Sequence, residues 1–197
     1  MTRLNAAILI SGRGSNMEAL LDADCPTLRF RKVIANRVDA AGLEAAARRG
    51  VDAICVPSKG RDRAAFEAAL GDALEGIEMI CLAGFMRVLS EGFVRRWEGR
   101  MINIHPSLLP AYPGLDPQAR AIADGVSESG CTVHWVTPEV DAGPVIAQER
   151  VSLLAGDDVE SLSARILKAE HRCYPKAAEM AAQAILARAA RPAAITA

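Results

Sequence analysis

Residues 101–115 read MINIHPSLLPAYPGL, an apolar run of strand length that three prolines then bring to an end. Side chains two apart on a strand point to the same face, so Asn103 and His105 project together near its carboxyl end. An amide can polarise a carbonyl group, and an imidazole can exchange a proton near neutral pH. The stretch therefore indicates either a reactive pair beside a pocket wall, or two polar residues that satisfy loop backbone groups.

Apolar runs of strand length alternate with segments of helical period on both sides of this stretch. Besides MINIH, the predicted strands are 4–10, 30–36, 52–56, 78–84, 131–136 and 143–151. The predicted helices are about 16–23, 40–50, 63–74, 92–97, 117–125 and a last one from 158 to 181 or beyond. This alternation predicts an α/β fold with a Rossmann-like, mostly parallel sheet and helices on both faces.

The length of 197 residues suits one domain, over residues 1–197, in which 182–197 are expected to form a loosely ordered tail. The 23 basic and 24 acidic residues give a net charge of −1 without blocks of like charge. Broad electrostatic binding of nucleic acid or of an anionic membrane is therefore not expected. The first apolar run is too short for a signal peptide or a membrane span. The sequence does not indicate an oligomeric state.

The five cysteines are scattered along the chain and are never spaced as CxxC. This pattern argues against a disulfide framework and against a structural zinc site. Cys55 and Cys81 lie in predicted strands, where a small buried side chain is expected. Together with the N-terminal sequence, the cysteines predict a reduced, cytoplasmic protein.

The segment ISGRGSN (10–16) predicts a glycine-rich turn between a strand and a helix. Ser15 and Asn16 fall at the helix N-terminus, where free N–H groups attract a phosphate. The segment lacks the GK[ST] ending of a P-loop, and Met17 stands where a dinucleotide fingerprint has its third glycine. It is thus either a phosphate site or simply a tight turn.

Two further polar residues follow in the second half of the chain. Asp141 lies in the VDAGPV turn, where an aspartate often serves local hydrogen bonding. A carboxylate close to His105 would favour the protonated imidazole. His134 alternates with Val133 and Trp135, which indicates a core or supporting histidine.

Read together, several segments resemble the folate-dependent formyltransferase family, in its phosphoribosylglycinamide branch. The segments are ISGRGSNMEALL, VIANRVDAAGLEAA, LAGFMRVLS, INIHPSLLPAYPGL, GCTVHWVTPEVDAGPVI and AEHRCYP. The resemblance covers nearly the whole chain, from residue 4 to about residue 180. The resemblance implies formyl transfer from 10-formyltetrahydrofolate, a co-substrate, to the amine of glycinamide ribonucleotide in purine synthesis. It implies small-molecule partners, no tightly bound cofactor and no metal.

The resemblance also implies a role for individual residues. The catalytic residues it implies are Asn103, His105 and Asp141. The nucleotide-binding residues it implies are Gly14, Ser15, Asn16 and Glu170. The folate-binding residues it implies are Arg63, Met86, Arg87, Val88, Leu89, Asn103 and the loop 137–141. The chain departs from the family at Pro117 and Gln118, near the place of a histidine, and at Leu167, where some relatives carry a polar residue.

The expected reaction is direct transfer without a covalent enzyme intermediate, since no serine or cysteine is placed beside a base. Asn103 and protonated His105 would stabilise the oxyanion, and Asp141 would keep His105 protonated. A formyltetrahydrofolate hydrolase would use the same residues on water but is expected to have a preceding domain. Another formyltransferase, acting on tRNA or a sugar nucleotide, is expected to have a C-terminal extension. A non-catalytic nucleotide-binding module would leave the three residues unexplained.

Overall fold

The structure, a computed structural model, describes residues 2–190. The strands in this range are β1 Leu4–Ile10, β2 Leu28–Ala35, β3 Asp52–Cys55, β4 Met79–Leu82, β5 Met101–His105, β6 Glu128–Trp135 and β7 Val145–Ser152. The helices are α1 Ser15–Asp22, α2 Ala41–Arg48, α3 Arg63–Ala73, α4 Glu91–Arg96, α5 Pro117–Ala123 and α6 Val159–Ala190. Each predicted element is present, with ends that differ by a few residues.

All seven strands form one sheet in the order β3-β2-β1-β4-β5-β6-β7. The pairings from β3 through β5 are parallel, whereas β6 and β7 run antiparallel to their neighbours. The predicted mostly parallel α/β sheet is confirmed. The strand order reverses at β1, between β2 and β4, and ligands of open α/β sheets bind at such a point. The loops after β1, β4 and β5 consequently lie side by side at the carboxyl ends of these parallel strands.

Both faces of the sheet are covered by helices, because side chains alternate along the strands. Ile8 and Ile10 of β1 pack into a cluster with α1, α2 and α6, whereas Ala7 and Leu9 pack into a second cluster with α3 and α4. Each large aliphatic side chain buried in this way contributes about 1.5–3 kcal/mol. Burial on both faces explains why the central strands read as unbroken apolar runs.

Two sequence-based expectations concern the burial of Cys55 and the C-terminal tail 182–197. Cys55 is exposed, contrary to the expectation of burial, because β3 is an edge strand, whereas Cys81 on the central β4 is buried. Residues 182–190 of the expected tail continue α6, and the remaining tail residues, 191–197, lie outside the described residues. Within residues 2–190, no helix is both long enough and apolar enough to cross a bilayer. The cytoplasmic location stays a prediction.

Candidate active site

His105 is the last residue of β5, and both of its ring nitrogens face oxygen atoms. Nδ1 lies 3.3 Å from Asp141 Oδ2, and Nε2 lies 2.9 Å from the backbone oxygen of Tyr112. A carboxylate and a backbone carbonyl can only accept hydrogen bonds. The Tyr112 carbonyl is therefore placed to accept a hydrogen bond from Nε2, and the Asp141 carboxylate lies within ion-pair distance of Nδ1.

Asp141 reaches His105 from the loop between β6 and β7. Its backbone is left-handed, with φ 55°, a conformation that aspartate tolerates better than most residues. Its Oδ2 also accepts a hydrogen bond from the Gly114 N–H at 2.8 Å, and its Oδ1 lies 3.6 Å from His134 Nε2. Burial raises the pKa of Asp141, but the His134 contact, the Gly114 N–H and the nearby imidazoles outweigh it and lower the pKa. Asp141 is therefore a carboxylate at neutral pH.

Asn103 and His134 lie directly opposite each other on β5 and β6. Asn103 Nδ2 is 3.3 Å from His134 Nε2, and His134 Nδ1 is 2.9 Å from the backbone oxygen of Trp135. The Trp135 carbonyl is placed to accept a hydrogen bond from His134 Nδ1. His134 is buried and contacts both Asn103 and Asp141, so it is placed to orient them.

The proline-rich loop after β5 is held by three polar side chains that the sequence did not single out, of which Ser107 and Thr132 are buried and Gln148 is exposed. Ser107 Oγ donates to the Ala111 carbonyl at 2.6 Å, and Thr132 Oγ1 donates to the Ser107 carbonyl at 2.7 Å. Gln148 Nε2 donates to Thr132 Oγ1 at 2.9 Å and to the Leu109 carbonyl at 2.8 Å. These bonds hold the loop as a fixed wall beside His105. The sequence signal for these hydrogen bonds is Ser107, a polar residue within an apolar, proline-rich run.

The turn between β1 and α1 requires glycine at position 14. Gly14 has φ +81°, and a Cβ there would lie 3.1 Å from Met17 Cε and 3.2 Å from Gly42 Cα. Such a backbone conformation is strained for any residue with a side chain. Gly14 is the N-cap of α1, with no side-chain hydrogen bond at this end. Free N–H groups at the start of a helix are suited to bind an anion.

A cavity of about 440 Å³ opens beside this turn, between α1 and α6. It is lined by Arg13, Ser15, Glu18, Ala19, Asp22, Leu167 and His171. Arg49 forms ion pairs with both Glu18 and Asp22, so the negative charge of these two carboxylates is partly neutralised. Arg13 and the α1 N-terminus then make the mouth of the cavity favourable for an anion.

Two residues predicted for the nucleotide meet across the α1–α6 contact. Asn16 Nδ2 donates to Glu170 Oε2 at 2.7 Å. Burial raises the pKa of Glu170, and the Asn16 hydrogen bond only partly offsets this. Asn16 Oδ1 is buried and has no hydrogen-bond partner within the described range, and His171 Nε2 is in the same condition. These two unpaired atoms lie on α1 and α6, the two helices that border the cavity.

The segment after β4 lies between two fixed ends. At its start, the Met86 N–H donates to Ser11 Oγ at 2.7 Å. At its end, the N–H and hydroxyl of Ser90 both donate to the Glu67 carboxylate at 2.5 Å. Among residues 2–190, the backbone groups of 87–89 have no hydrogen-bond partner. A row of free backbone donors and acceptors is suited to bind a flat, polar ring by its edge.

Apolar side chains accompany this segment. Met86 and Val88 are largely exposed, at 75% and 68%, and Val140 of the 137–141 loop is 63% exposed. Phe85 stacks on Phe66 of α3, with ring centroids 6.5 Å apart. Arg63 is the first residue of α3, one turn before Phe66, and is exposed. The segment 86–89 thus presents both apolar surface and free backbone groups.

The departure at position 117 has a local explanation, whereas that at position 118 has none in the structure. Pro117 is the first residue of α5, a position where proline is favoured because its missing N–H would have no helical partner. No hydrogen bond between described residues joins Gln118 to Asn103, His105 or Asp141. Residues 2–190 also contain no group of three His, Cys, Asp or Glu side chains placed to hold a metal ion.

Comparison with known proteins gives concordant matches. The formyl transferase family model matches residues 4–178. The chain is 45% identical over 194 residues to the trifunctional purine biosynthetic protein adenosine-3 of Drosophila pseudoobscura pseudoobscura, which covers 94% of this chain. It spans only 14% of the length of that relative. It is 42% identical over 179 residues to the phosphoribosylglycinamide formyltransferase of Escherichia coli strain K12, covering 87% of this chain and 84% of that protein.

A solved structure is similar over the same range. The crystal structure of glycinamide ribonucleotide transformylase 1 from Symbiobacterium toebii matches with a TM-score of 0.88 at 46% identity. The match covers 92% of this chain and 89% of that one. The similarity therefore extends to the whole sheet and its helices.

Proposed function

The chain belongs to the formyl transferase family, and on that premise we propose that it transfers the formyl group of 10-formyltetrahydrofolate to the amine of glycinamide ribonucleotide. The products are N-formylglycinamide ribonucleotide and tetrahydrofolate, in de novo purine synthesis. The observation that carries the proposal is the contact of Asp141 with His105 and, through His134, with Asn103.

The transfer step needs charge stabilisation and the movement of one proton. The amine nitrogen attacks the formyl carbon, and the carbonyl electron pair moves onto the formyl oxygen. The Asn103 amide and protonated His105 donate hydrogen bonds to this oxyanion, and each such donor lowers the barrier by about 3–4 kcal/mol. The bond between the formyl carbon and the folate N10 then breaks, and a proton passes from the former amine to N10.

Asp141 and Tyr112 control His105 during this step. The Asp141 carboxylate holds the ring by Nδ1 and stabilises its positive charge. The Nε2 hydrogen is bound to the Tyr112 carbonyl, so an incoming formyl oxygen must compete with that carbonyl for it. In the proposed step, Asp141 passes the proton through solvent water from the amine toward N10.

The two substrates occupy opposite sides of the three residues. The phosphate of the nucleotide lies at the 14–16 turn, where the α1 N–H groups and Arg13 favour an anion, and Glu170 with Asn16 binds the sugar side. The pterin lies along 86–89 and takes the free backbone groups there. The 137–141 loop covers it, and Arg63 lies on the folate side at the start of α3.

A steady-state assay of the purified protein with both substrates tests this function. We expect N-formylglycinamide ribonucleotide to form in proportion to the tetrahydrofolate released. Omission of the nucleotide should stop folate turnover. Formate release that continues without nucleotide would instead identify a hydrolase, and no turnover of either kind would leave only a binding role.

A further inference from the structure

A series of three hydrogen bonds, buried or partly buried, joins the ends of three strands to the start of the 86–89 segment. The Met86 N–H donates to Ser11 Oγ at 2.7 Å. The Ser11 hydroxyl donates to Asn36 Oδ1 at 2.6 Å, and Asn36 Nδ2 donates to Ser58 Oγ at 3.1 Å. Ser11 follows β1, Asn36 follows β2, and Ser58 lies after β3. None of these three side chains takes part in the reaction proposed above.

All three hydrogen bonds are donated in the same order, from Met86 to Ser11, from Ser11 to Asn36 and from Asn36 to Ser58. Ser11 and Asn36 are 7% and 6% exposed, and buried polar groups are costly unless they are paired. The Ser11 hydroxyl has one hydrogen, and because Asn36 Oδ1 takes it, the oxygen lone pairs are left to accept the Met86 N–H. Asn36 therefore sets the orientation of the Ser11 hydroxyl.

Ser11 lies just before the 14–16 turn in sequence, but the hydrogen bond that its hydroxyl accepts fixes the start of the 86–89 segment. The turn has its own backbone bonds, from the Gly42 N–H to the Gly12 carbonyl at 3.1 Å and from the Glu18 N–H to the Gly14 carbonyl at 2.9 Å. The Ser11 hydroxyl instead holds the peptide unit before Met86. That unit is the first in the row of backbone groups that includes the free groups of 87–89.

On the basis of the proposed function, we infer that Ser11 is a positioning residue for the folate co-substrate. It acts through the Met86 peptide unit, and Asn36 acts through Ser11 by directing its hydroxyl. Loss of the hydroxyl leaves the Met86 N–H without an acceptor, and the peptide unit turns to find one. The neighbouring groups at 87–89 then lose their alignment with the pterin edge.

The substitutions Ser11→Thr and Ser11→Val form a matched pair of equal shape, because only threonine keeps the hydroxyl. We expect the threonine variant to retain the wild-type KM for folate within about twofold. The valine variant should raise it about tenfold, the size of effect typical of one lost buried hydrogen bond. The KM for the nucleotide should change less than twofold in both variants. Equal folate KM values for the two variants, or equal increases for both substrates, would overturn the inference.

Ser58→Ala is the control within the same chain of hydrogen bonds. Ser58 is only half-buried, so water can replace its hydroxyl as the partner of Asn36 Nδ2. We expect a folate KM within about twofold of wild type. Asn36→Ala should raise the folate KM, and combining it with Ser11→Val should cost little more than Ser11→Val alone. Effects that multiply would show that Asn36 does not act through Ser11.

Calorimetric titration with tetrahydrofolate separates this inference from the proposed function. If the wild-type protein binds tetrahydrofolate but transfers no formyl group, the proposed reaction is wrong. The ratio of Kd values for Ser11→Thr and Ser11→Val then decides the role of Ser11 by itself. Thermal unfolding of both variants shows whether a change in Kd reflects binding or loss of the native fold.

Discussion

Asp141 Oδ2 lies 3.3 Å from His105 Nδ1, although His105 ends strand β5 and Asp141 lies in the loop between β6 and β7. The carboxylate is only 10% exposed and has a lowered pKa, so it keeps its charge beside the imidazole at neutral pH. A buried negative charge at this distance stabilises a positive ring. The pair is therefore one electrostatic unit, and its two members should not contribute independently to the rate.

Asp141→Asn removes the charge but keeps the shape of the side chain. We expect the turnover number to fall about 100- to 1,000-fold, while the Kd for tetrahydrofolate changes less than about twofold. Steady-state rates at saturating substrate and calorimetric titration with tetrahydrofolate measure these two quantities. A turnover number within about twofold of wild type would show that the Asp141 charge does not serve the reaction.

The double variant Asp141→Asn with His105→Ala tests whether the two residues serve one step. We expect it to be little slower than the slower single variant. Asp24→Asn, outside the proposed site, is the control for a lost carboxylate at an exposed position. Losses that multiply in the double variant would contradict a shared role.

Gly14→Val should act mainly on the nucleotide. A valine at φ +81° is strained, and its Cβ would press against Gly42 and Met17 beside the cavity. We expect the KM for glycinamide ribonucleotide to rise at least about tenfold more than the KM for folate, because phosphate binding needs close approach to the turn. Gly76→Val is the matched control, since Gly76 has φ +75° with open space around its Cβ position. Equal effects of Gly14→Val on both substrates would refute the assignment of the phosphate.

Binding of tetrahydrofolate should slow amide hydrogen exchange at 86–89 and in the 137–141 loop. The free backbone groups of 87–89 gain partners, and the exposed Val140 is covered. Mass spectrometry of peptic fragments, with and without folate, measures this protection. Saturating glycinamide ribonucleotide serves as the comparison and should protect 12–16 instead. Folate protection confined to 12–16 would place the folate elsewhere.

Asp157 should make the fold sensitive to acid. The Arg165 guanidinium, the Leu154 N–H and the Ser161 hydroxyl hold the pKa of Asp157 well below its usual range, despite an opposing effect of burial. A lowered folded pKa adds stability that is present above the unfolded pKa, near 3.8, and is lost as the pH falls toward the folded pKa. Asp157→Asn should therefore lower the Tm at pH 7, and the difference should shrink below about pH 4.

Circular dichroism melts from pH 7 down to about pH 2.5 measure this difference, with Asp24→Asn as the control at an exposed carboxylate. The control should have almost the same Tm as the wild-type protein at every pH. A Tm difference for Asp157→Asn that persists unchanged in acid would show that Asp157 does not stabilise the fold through its charge.

The sequence by itself determined the elements and the features that depend on short stretches of backbone. The apolar runs predicted β1, β4 and β5, because strands buried on both faces need no polar alternation. The shared direction of Asn103 and His105 follows from the two-residue period of a strand. The glycine-rich turn between β1 and α1 was likewise predicted from the two glycines of ISGRGSN, which lie between a strand and a helix.

Only the tertiary structure decided which of these elements meet. The distance from Asp141 to His105 depends on the antiparallel placement of β6 beside β5, and the Asn16–Glu170 bond depends on α6 packing against α1. The Ser11–Met86 bond likewise requires β4 to lie next to β1. Strand order is set by the packing of the whole chain, and no local sequence pattern encodes it. The edge position of β3, which exposes Cys55, therefore could not be predicted from the apolar residues beside Cys55.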